Sequence, residues 1–222
     1  NRFFLGLFGL FILHSLGAQQ LELFIPTGHT RQVQDIVVDA DTTFVASIQN
    51  DNQIIIWDYQ DQSQERVLRY HSGRVNDLEV IGGNIWSASD DGYLRAWDVA
   101  EGRMSAEVEV SEPVLAVRSF ASQVVSVTKK GSIQRWDLTG RYADQEIKLK
   151  GKVKAVSNIM NGQLLIALEG GSIQKIDFSD FTAGPILETP VDVAALAISP
   201  GYFHVGSAQG ELLTFQESDL KE

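Results

Sequence analysis

Side chains able to do acid–base, nucleophilic or metal chemistry are few in this sequence. It contains four histidines, His14, His29, His71 and His204, and no cysteine. The lack of cysteine removes disulfides, thiolate metal sites and thiol nucleophiles together. No Gly-x-Ser-x-Gly elbow, Gly-x-x-x-x-Gly-Lys loop, His-Glu-x-x-His pair or calcium loop is present. His204, within Tyr202-Phe-His-Val205, has no Cys, Asp or Glu at metal spacing and reads as a core residue. Asp90-Asp91 precedes Gly92 and reads as turn chemistry. No paired carboxylates or aromatic row of the kind that cleaves or binds polysaccharide can be located. No catalytic residue, metal or cofactor is therefore expected. The one concentration of charge is basic: residues 129–154 hold eight Lys and Arg against three Asp and Glu, in a chain of formal net charge −11. Lys129, Lys130, Lys150 and Lys152 are the candidate binding residues, because clustered ammonium groups raise the local concentration of anions. An acidic segment of a partner protein is the expected ligand. The overall negative charge disfavours nucleic acid and anionic lipid.

The element that must position these residues is a repeat. Ser87-Ala-Ser-Asp-Asp-Gly-Tyr-Leu-Arg-Ala-Trp-Asp98 is echoed at Gln53–Asp58, Ser132–Asp137, Ser172–Asp177 and Glu211–Gln216. The residue five before the aromatic position is Asn52, Gly92, Gly131, Gly171 and Gly210, a period of about 40 that marks four-stranded propeller blades. Each unit shows four short strand-like runs punctuated by turn residues, and no helical period competes. The inner strands are expected at 33–38, 75–80, 114–119, 153–159 and 192–198, and the third strands at 54–58, 93–97, 132–136, 172–177 and 211–215. In such a unit the second turn and the inter-blade loop emerge on one end, which would bring Lys129-Lys130 beside Lys150-Gly-Lys152.

Gly28-His29 before Val33, with Ser47, Asp51 and Trp57-Asp58, resembles a WD40 repeat, and so does His71 before Val75, with Ser87, Asp91 and Trp97-Asp98. The resemblance runs over residues 21–216. It implies an all-β propeller of four-stranded antiparallel blades in which His29, Ser47, Asp51 and Trp57, and likewise His71, Ser87, Asp91 and Trp97, form hydrogen-bonded chains bracing their blades. Such bracing satisfies a buried indole and a buried imidazole together. Unit three departs from the pattern with Lys130 at the Asp position, and units four and five replace the tryptophan with Ile176 and Phe215. These units are expected to hold by apolar packing. The resemblance further implies a non-catalytic protein-protein interaction scaffold. The alternative is a periplasmic quinoprotein-like propeller acting as an assembly factor or dehydrogenase domain, resembled by Gly92–Gly102; a contact of His29 with Ser47 and Trp57 would speak against it.

At the N-terminus, Arg2 precedes the apolar run Phe3–Leu13, followed by His14-Ser-Leu-Gly-Ala18 and two glutamines. A basic start, an apolar middle and a small residue before a polar end have the order of an export signal. Residues 1–18 are accordingly expected to be a signal peptide or an N-terminal anchor, with 19–222 the propeller domain of an exported, periplasmic or extracellular protein of secreted bacterial type. The start at Asn1 and seven as the usual WD40 blade number point to a fragment of a longer protein, with a fused effector domain outside it. Leu21–Ile25 is placed to complete the last blade, so a closed five-blade ring and part of a larger propeller both stay open.

Overall fold

Asp-Gly, Gly-Gly and Asn-Gly between apolar runs turn a strand back on its neighbour, so a chain with such signals every eight to twelve residues folds as successive hairpins. The computed structural model describes residues 32–39, 44–49, 52–61, 63–216 and 218, and there the hairpins form five antiparallel sheets of consecutive strands. Sheet one holds β1 (Val33–Val38), β2 (Phe44–Gln49), β3 (Ile54–Asp58) and β4 (Gln64–Leu68). Sheet two holds β5 (Val75–Ile81), β6 (Asn84–Ser89), β7 (Tyr93–Asp98) and β8 (Arg103–Glu109). Sheet three holds β9 (Val114–Phe120), β10 (Gln123–Thr128), β11 (Ser132–Asp137) and β12 (Tyr142–Lys148). Sheet four holds β13 (Val153–Val156), β14 (Gln163–Leu168), β15 (Ser172–Asp177) and β16 (Thr182–Glu188). Sheet five has three described strands, β17 (Val193–Ser199), β18 (Tyr202–Ser207) and β19 (Leu212–Gln216). The expected strand at Leu21–Ile25, the signal at 1–18, His29 and Asp51 lie outside the described residues.

The repeat is conformational before it is chemical. All five anchors take positive φ: Asn52 60°, Gly92 84°, Gly131 96°, Gly171 91° and Gly210 90°. This is the left-handed region that glycine enters freely and asparagine tolerates, which explains the residue types at the period. The Asp that ends the third strand has its own task. Oδ1 of Asp58 accepts the N–H of Gln60 and Asp61, Oδ1 of Asp98 that of Glu101, and Oδ1 of Asp137 that of Thr139 and Arg141. Each carboxylate thereby pins the turn into the outer strand.

Strand alternation sends the third-strand tryptophans Trp97 and Trp136 to the face that packs on the preceding sheet. Trp97 joins Ile54, Ile56 and Ala46 of sheet one, while Trp136 joins Trp86, Leu94 and Ala96 of sheet two. Where the tryptophan is lost, apolar packing takes over as expected: Ile176 is buried against Val125 and Ile133, and Phe215 stacks on Phe203 at 4.9 Å. Four apolar clusters of described residues therefore join sheets one to two, two to three, three to four and four to five. Polar links reinforce the inner strands. Asp35 Oδ2 accepts the N–H of Leu78 on the next blade, Asp77 Oδ2 that of Val117, and Asn158 Oδ1 that of Ile198. β13 ends at Val156, three residues short of expectation. Ser157 Oγ there accepts the Leu165 N–H, and Arg118 Nε takes the Ser157 carbonyl.

Candidate functional site

The second blade carries the densest cluster of functional side chains. His71 comes from the loop before β5, Ser87 from β6, Asp91 from the turn after it, and Arg95 and Trp97 from β7. His71 Nε2 lies 2.8 Å from Ser87 Oγ and its Nδ1 lies 2.9 Å from Asp91 Oδ2. Taken as distances alone, this is the arrangement of a nucleophilic Ser-His-Asp triad.

Three observations disarm it. Ser87 is 0% exposed, so no substrate can reach its oxygen. Its hydroxyl is already engaged, accepting the Trp97 indole N–H at 2.9 Å and facing the Arg95 carbonyl at 3.3 Å. Finally, Arg95 Nη1 sits against both His71 Nδ1 and Asp91 Oδ2. Asp91 Oδ2 accepts from that guanidinium and from the Ser72 N–H and faces the imidazole as well, so the carboxylate is committed to holding the cluster together. Burial also lowers the His71 pKa, which keeps the ring neutral. Burial would raise the Asp91 carboxyl, but the His71 ring, the Arg95 guanidinium and the Ser72 N–H around it hold it well below its usual range. The cluster is a brace. In blade one, Trp57 Nε1 donates to Ser47 Oγ at 2.8 Å, and in blade three Trp136 Nε1 donates to Ser126 Oγ at 2.9 Å. The expected contact of His29 with Ser47 and Trp57 lies outside the described residues.

Arg95 was not singled out in the sequence, although a signal for it existed. It stands two residues before Trp97 on the same strand and therefore on the same face. Asp77 and Arg118, which join blades two and three, carried no such signal, because 41 residues separate them. Asp77 Oδ2 takes the Val117 N–H and the Arg118 guanidinium, and desolvation raises its carboxyl to about 6 against the pull of that arginine. Both border an axial cleft of about 400 Å³ that all five inner strands line, from Asp35 on β1 to Ala195 on β17. His204 is half-buried on blade five rather than enclosed in its core, held between Ser199 Oγ at 2.9 Å and Thr214 Oγ1 at 3.0 Å.

The four lysines lie in one loop cluster. The Val153 N–H donates to the Lys129 carbonyl at 3.0 Å and the Leu149 N–H to the Gly131 carbonyl at 2.9 Å, so the 129–131 turn abuts the 149–153 loop. Their charges are largely matched. Lys129 pairs with Asp90, Lys130 with Glu112 at 3.6 Å and Lys152 with Glu169 at 3.7 Å. Lys150 has no ion-pair partner among the described residues. Exposed pairs of this kind contribute about 0.2–1 kcal/mol each, so a better anionic ligand can displace their carboxylates. Among the described residues no group of three or more His, Cys, Asp or Glu could hold a metal ion, and no helix is long and apolar enough to cross a membrane.

A family model described as "WD domain, G-beta repeat" matches residues 20–58. The chain is 29% identical over 125 residues to target of rapamycin complex subunit wat1 of Schizosaccharomyces pombe, covering 54% of this chain and 40% of that protein. It is 29% identical over 117 residues to the tRNA (guanine-N(7)-)-methyltransferase non-catalytic subunit wuho of Anopheles gambiae, covering 45% and 31%. Among solved structures it superposes on that of U3-55K with a TM-score of 0.72 at 19% identity, over 86% of this chain and 64% of that one. The chain thus spans less than half the length of these two relatives and under two thirds of that structure. The relatives are eukaryotic, so the expectation of a secreted bacterial type draws no support from them.

Proposed function

We propose that this chain is a WD40-repeat propeller segment that serves as a non-catalytic scaffold for protein partners. The observation that carries the reading is the buried blade-two cluster. Among the described residues, the blade-two constellation with the distances of a catalytic site is sealed and spends its hydrogen bonds on bracing the sheet. What such bracing produces is a rigid stack of sheets presenting loops, and rigid presentation lowers the ordering cost of binding. Two relatives whose names describe subunits of larger assemblies support the same role.

The binding surface is the end bearing the turn at Lys129-Lys130 and the loop at Lys150–Lys152, and the ligand is an acidic segment of a partner. Export rests on the order of residues within 1–18 alone; N-terminal sequencing of protein recovered from outside the producing cell would test it. The scaffold role is tested by affinity capture with the full-length protein and with a Lys130→Glu/Lys150→Glu/Lys152→Glu variant, followed by reconstitution from purified components. A partner that binds the wild type and not the equally stable variant is the expected result. Binding of the same partners by both, or by neither, would overturn the assignment of this surface.

A further inference from the structure

The turn into the outer strand of blade four contains a residue type that its conformation disfavours. Phe181 stands four residues after Asp177 and directly before β16, at a φ of 56°. Gly102 holds the same place in blade two, four after Asp98 and directly before β8, at a φ of 65°. A bulky side chain in the left-handed region is a backbone outlier, and such strain persists where the surrounding structure holds the residue in place. The ring is buried and packs on Phe178 at 5.7 Å, which in turn lies 5.1 Å from Phe120 of sheet three. Over the Phe181 ring, 4.2 Å from its centroid, lies the guanidinium of Arg135 on β11. A strained aromatic thus carries one arginine at the junction of blades three and four.

That arginine has no polar partner. Among the described residues Arg66, Arg95, Arg118 and Arg135 are the buried or half-buried arginines. Arg66 donates to the Ala100 carbonyl on the corresponding turn of blade two, Arg95 to Asp91 and Glu107, and Arg118 to Asp77 and the Ser157 carbonyl. Arg135 makes neither a hydrogen bond nor an ion pair among the described residues, in a chain with 29 acidic residues against 18 basic ones. The carboxylates of the turn under it face that turn's own groups, Asp177 the Ser179 N–H and hydroxyl and Asp180 the Thr182 hydroxyl. Arg135 Nε is sealed, while Nη1 and Nη2, equally unbonded, are not enclosed. The stem and one face of the fork are therefore fixed, and its outer edge stays open to solvent. A charge drawn part-way out of water without a counter-charge is a cost that no internal contact offsets.

We propose that Arg135, held on the Phe181 ring, takes a side-chain carboxylate of a partner protein through Nη1 and Nη2. The proposal rests on the scaffold reading and adds a contact away from the lysine loops: Phe181 follows the third strand of its blade, whereas Lys129 and Lys130 precede the third strand of theirs. The two terminal nitrogens of a guanidinium match the two oxygens of a carboxylate in one plane, so the sealed Nε is not needed. No carboxylate of the described chain has to be displaced, unlike at Lys129, Lys130 and Lys152. Stacking on the ring fixes the plane of the fork before the ligand arrives, which lowers the ordering cost of binding.

The test is a titration of the isotopically labelled chain with acetyl-Glu-Glu-Glu-Glu-amide, beside the tetraglutamine peptide, followed by NMR of the backbone amides and of the Arg135 Nε–H group. Saturable shifts of Arg135 Nε–H and of the Phe181 amide are expected with the glutamate peptide, and binding at least about tenfold weaker with glutamine. Arg135→Met should abolish the Phe181 shift. Arg135→Lys, which keeps the charge without the fork, should weaken the peptide by about threefold or more. Absence of the Arg135 and Phe181 shifts in a chain whose amide dispersion is that of the folded state, an equal response to tetraglutamine, or an unchanged Phe181 shift in either folded variant overturns the proposal. Shifts of Gly131 and Lys150 report the lysine loops separately. Capture of a rim-dependent partner by a full-length protein that shows no Arg135 shift removes this site and leaves the scaffold standing. Arg135 shifts without any captured partner do the reverse.

Discussion

At the scale of single residues, the chemistry turns on where protons and donors sit. Ser87 accepts from Trp97 and stands against His71, so its removal strands two buried polar groups at once. Ser87→Ala should cost about 2–5 kcal/mol in urea unfolding, since each unmet buried group costs roughly 1–3 kcal/mol. A surface change such as Lys152→Ala should stay within about 0.5 kcal/mol. The pH dependence has two opposing sources. The Asp77 carboxyl is raised to about 6 in the fold from an ordinary 3.8, so between those values the native state binds more protons than the unfolded chain. Its contribution to stability therefore falls as pH rises through that window. Glu79 is raised by the same desolvation and acts in the same direction. His71, lowered by burial, acts oppositely: its contribution is complete above an ordinary 6.5 and is lost as pH falls. Asp77→Asn keeps an acceptor for the Val117 N–H and removes the titration. Melting temperatures from pH 4 to 7 should show the variant gaining on the wild type as pH rises. Parallel curves would count against the assignment.

At the scale of elements, the period was legible because a turn imposes it. The third strands at 54–58 and 172–177 and the inner strand at 33–38 stand where the spacing put them, since a left-handed residue every 39 or 40 positions leaves little freedom in strand placement. Gly131 shows how tight the constraint is. A Cβ there would lie 3.0 Å from the carbonyl oxygens of both Leu149 and Gly151, at a φ of 96°. Gly131→Ala should therefore destabilise by about 1–3 kcal/mol in denaturant unfolding. The same change at an exposed strand position should cost far less. The short β13 was not legible. Its end is decided by Arg118, which comes from another sheet to take the Ser157 carbonyl, and no local pattern encodes that partner.

At the scale of the whole molecule, stability in a stacked array is the sum of sheets and their interfaces, so the ends are weakest. Sheet five has three described strands, and Leu212 and Tyr202 on it are 73% and 47% exposed. Sheet two buries Trp97 against sheet one and Trp86 against sheet three, and sheet three buries Trp136 against sheet two. Hydrogen exchange should reach the amides of β17–β19 well before those of β6, β7 and β10, by at least about tenfold. Uniform protection across all five sheets would contradict this view of the array. Composition, turn residues and the forty-residue period were enough to determine an all-β chain of repeated blades, because φ preference and strand alternation are properties of adjacent residues. The brace at Ser87, Asp91 and Trp97 was legible through the resemblance to a WD40 repeat, which implies it. Only the tertiary structure decided that Arg95 joins the His71 and Asp91 cluster, and that Lys129, Lys130 and Lys152 meet carboxylates. Those outcomes depend on which side chains arrive from other strands, turns and loops, 17 to 39 residues away for the lysine pairs, which no spacing along one strand records.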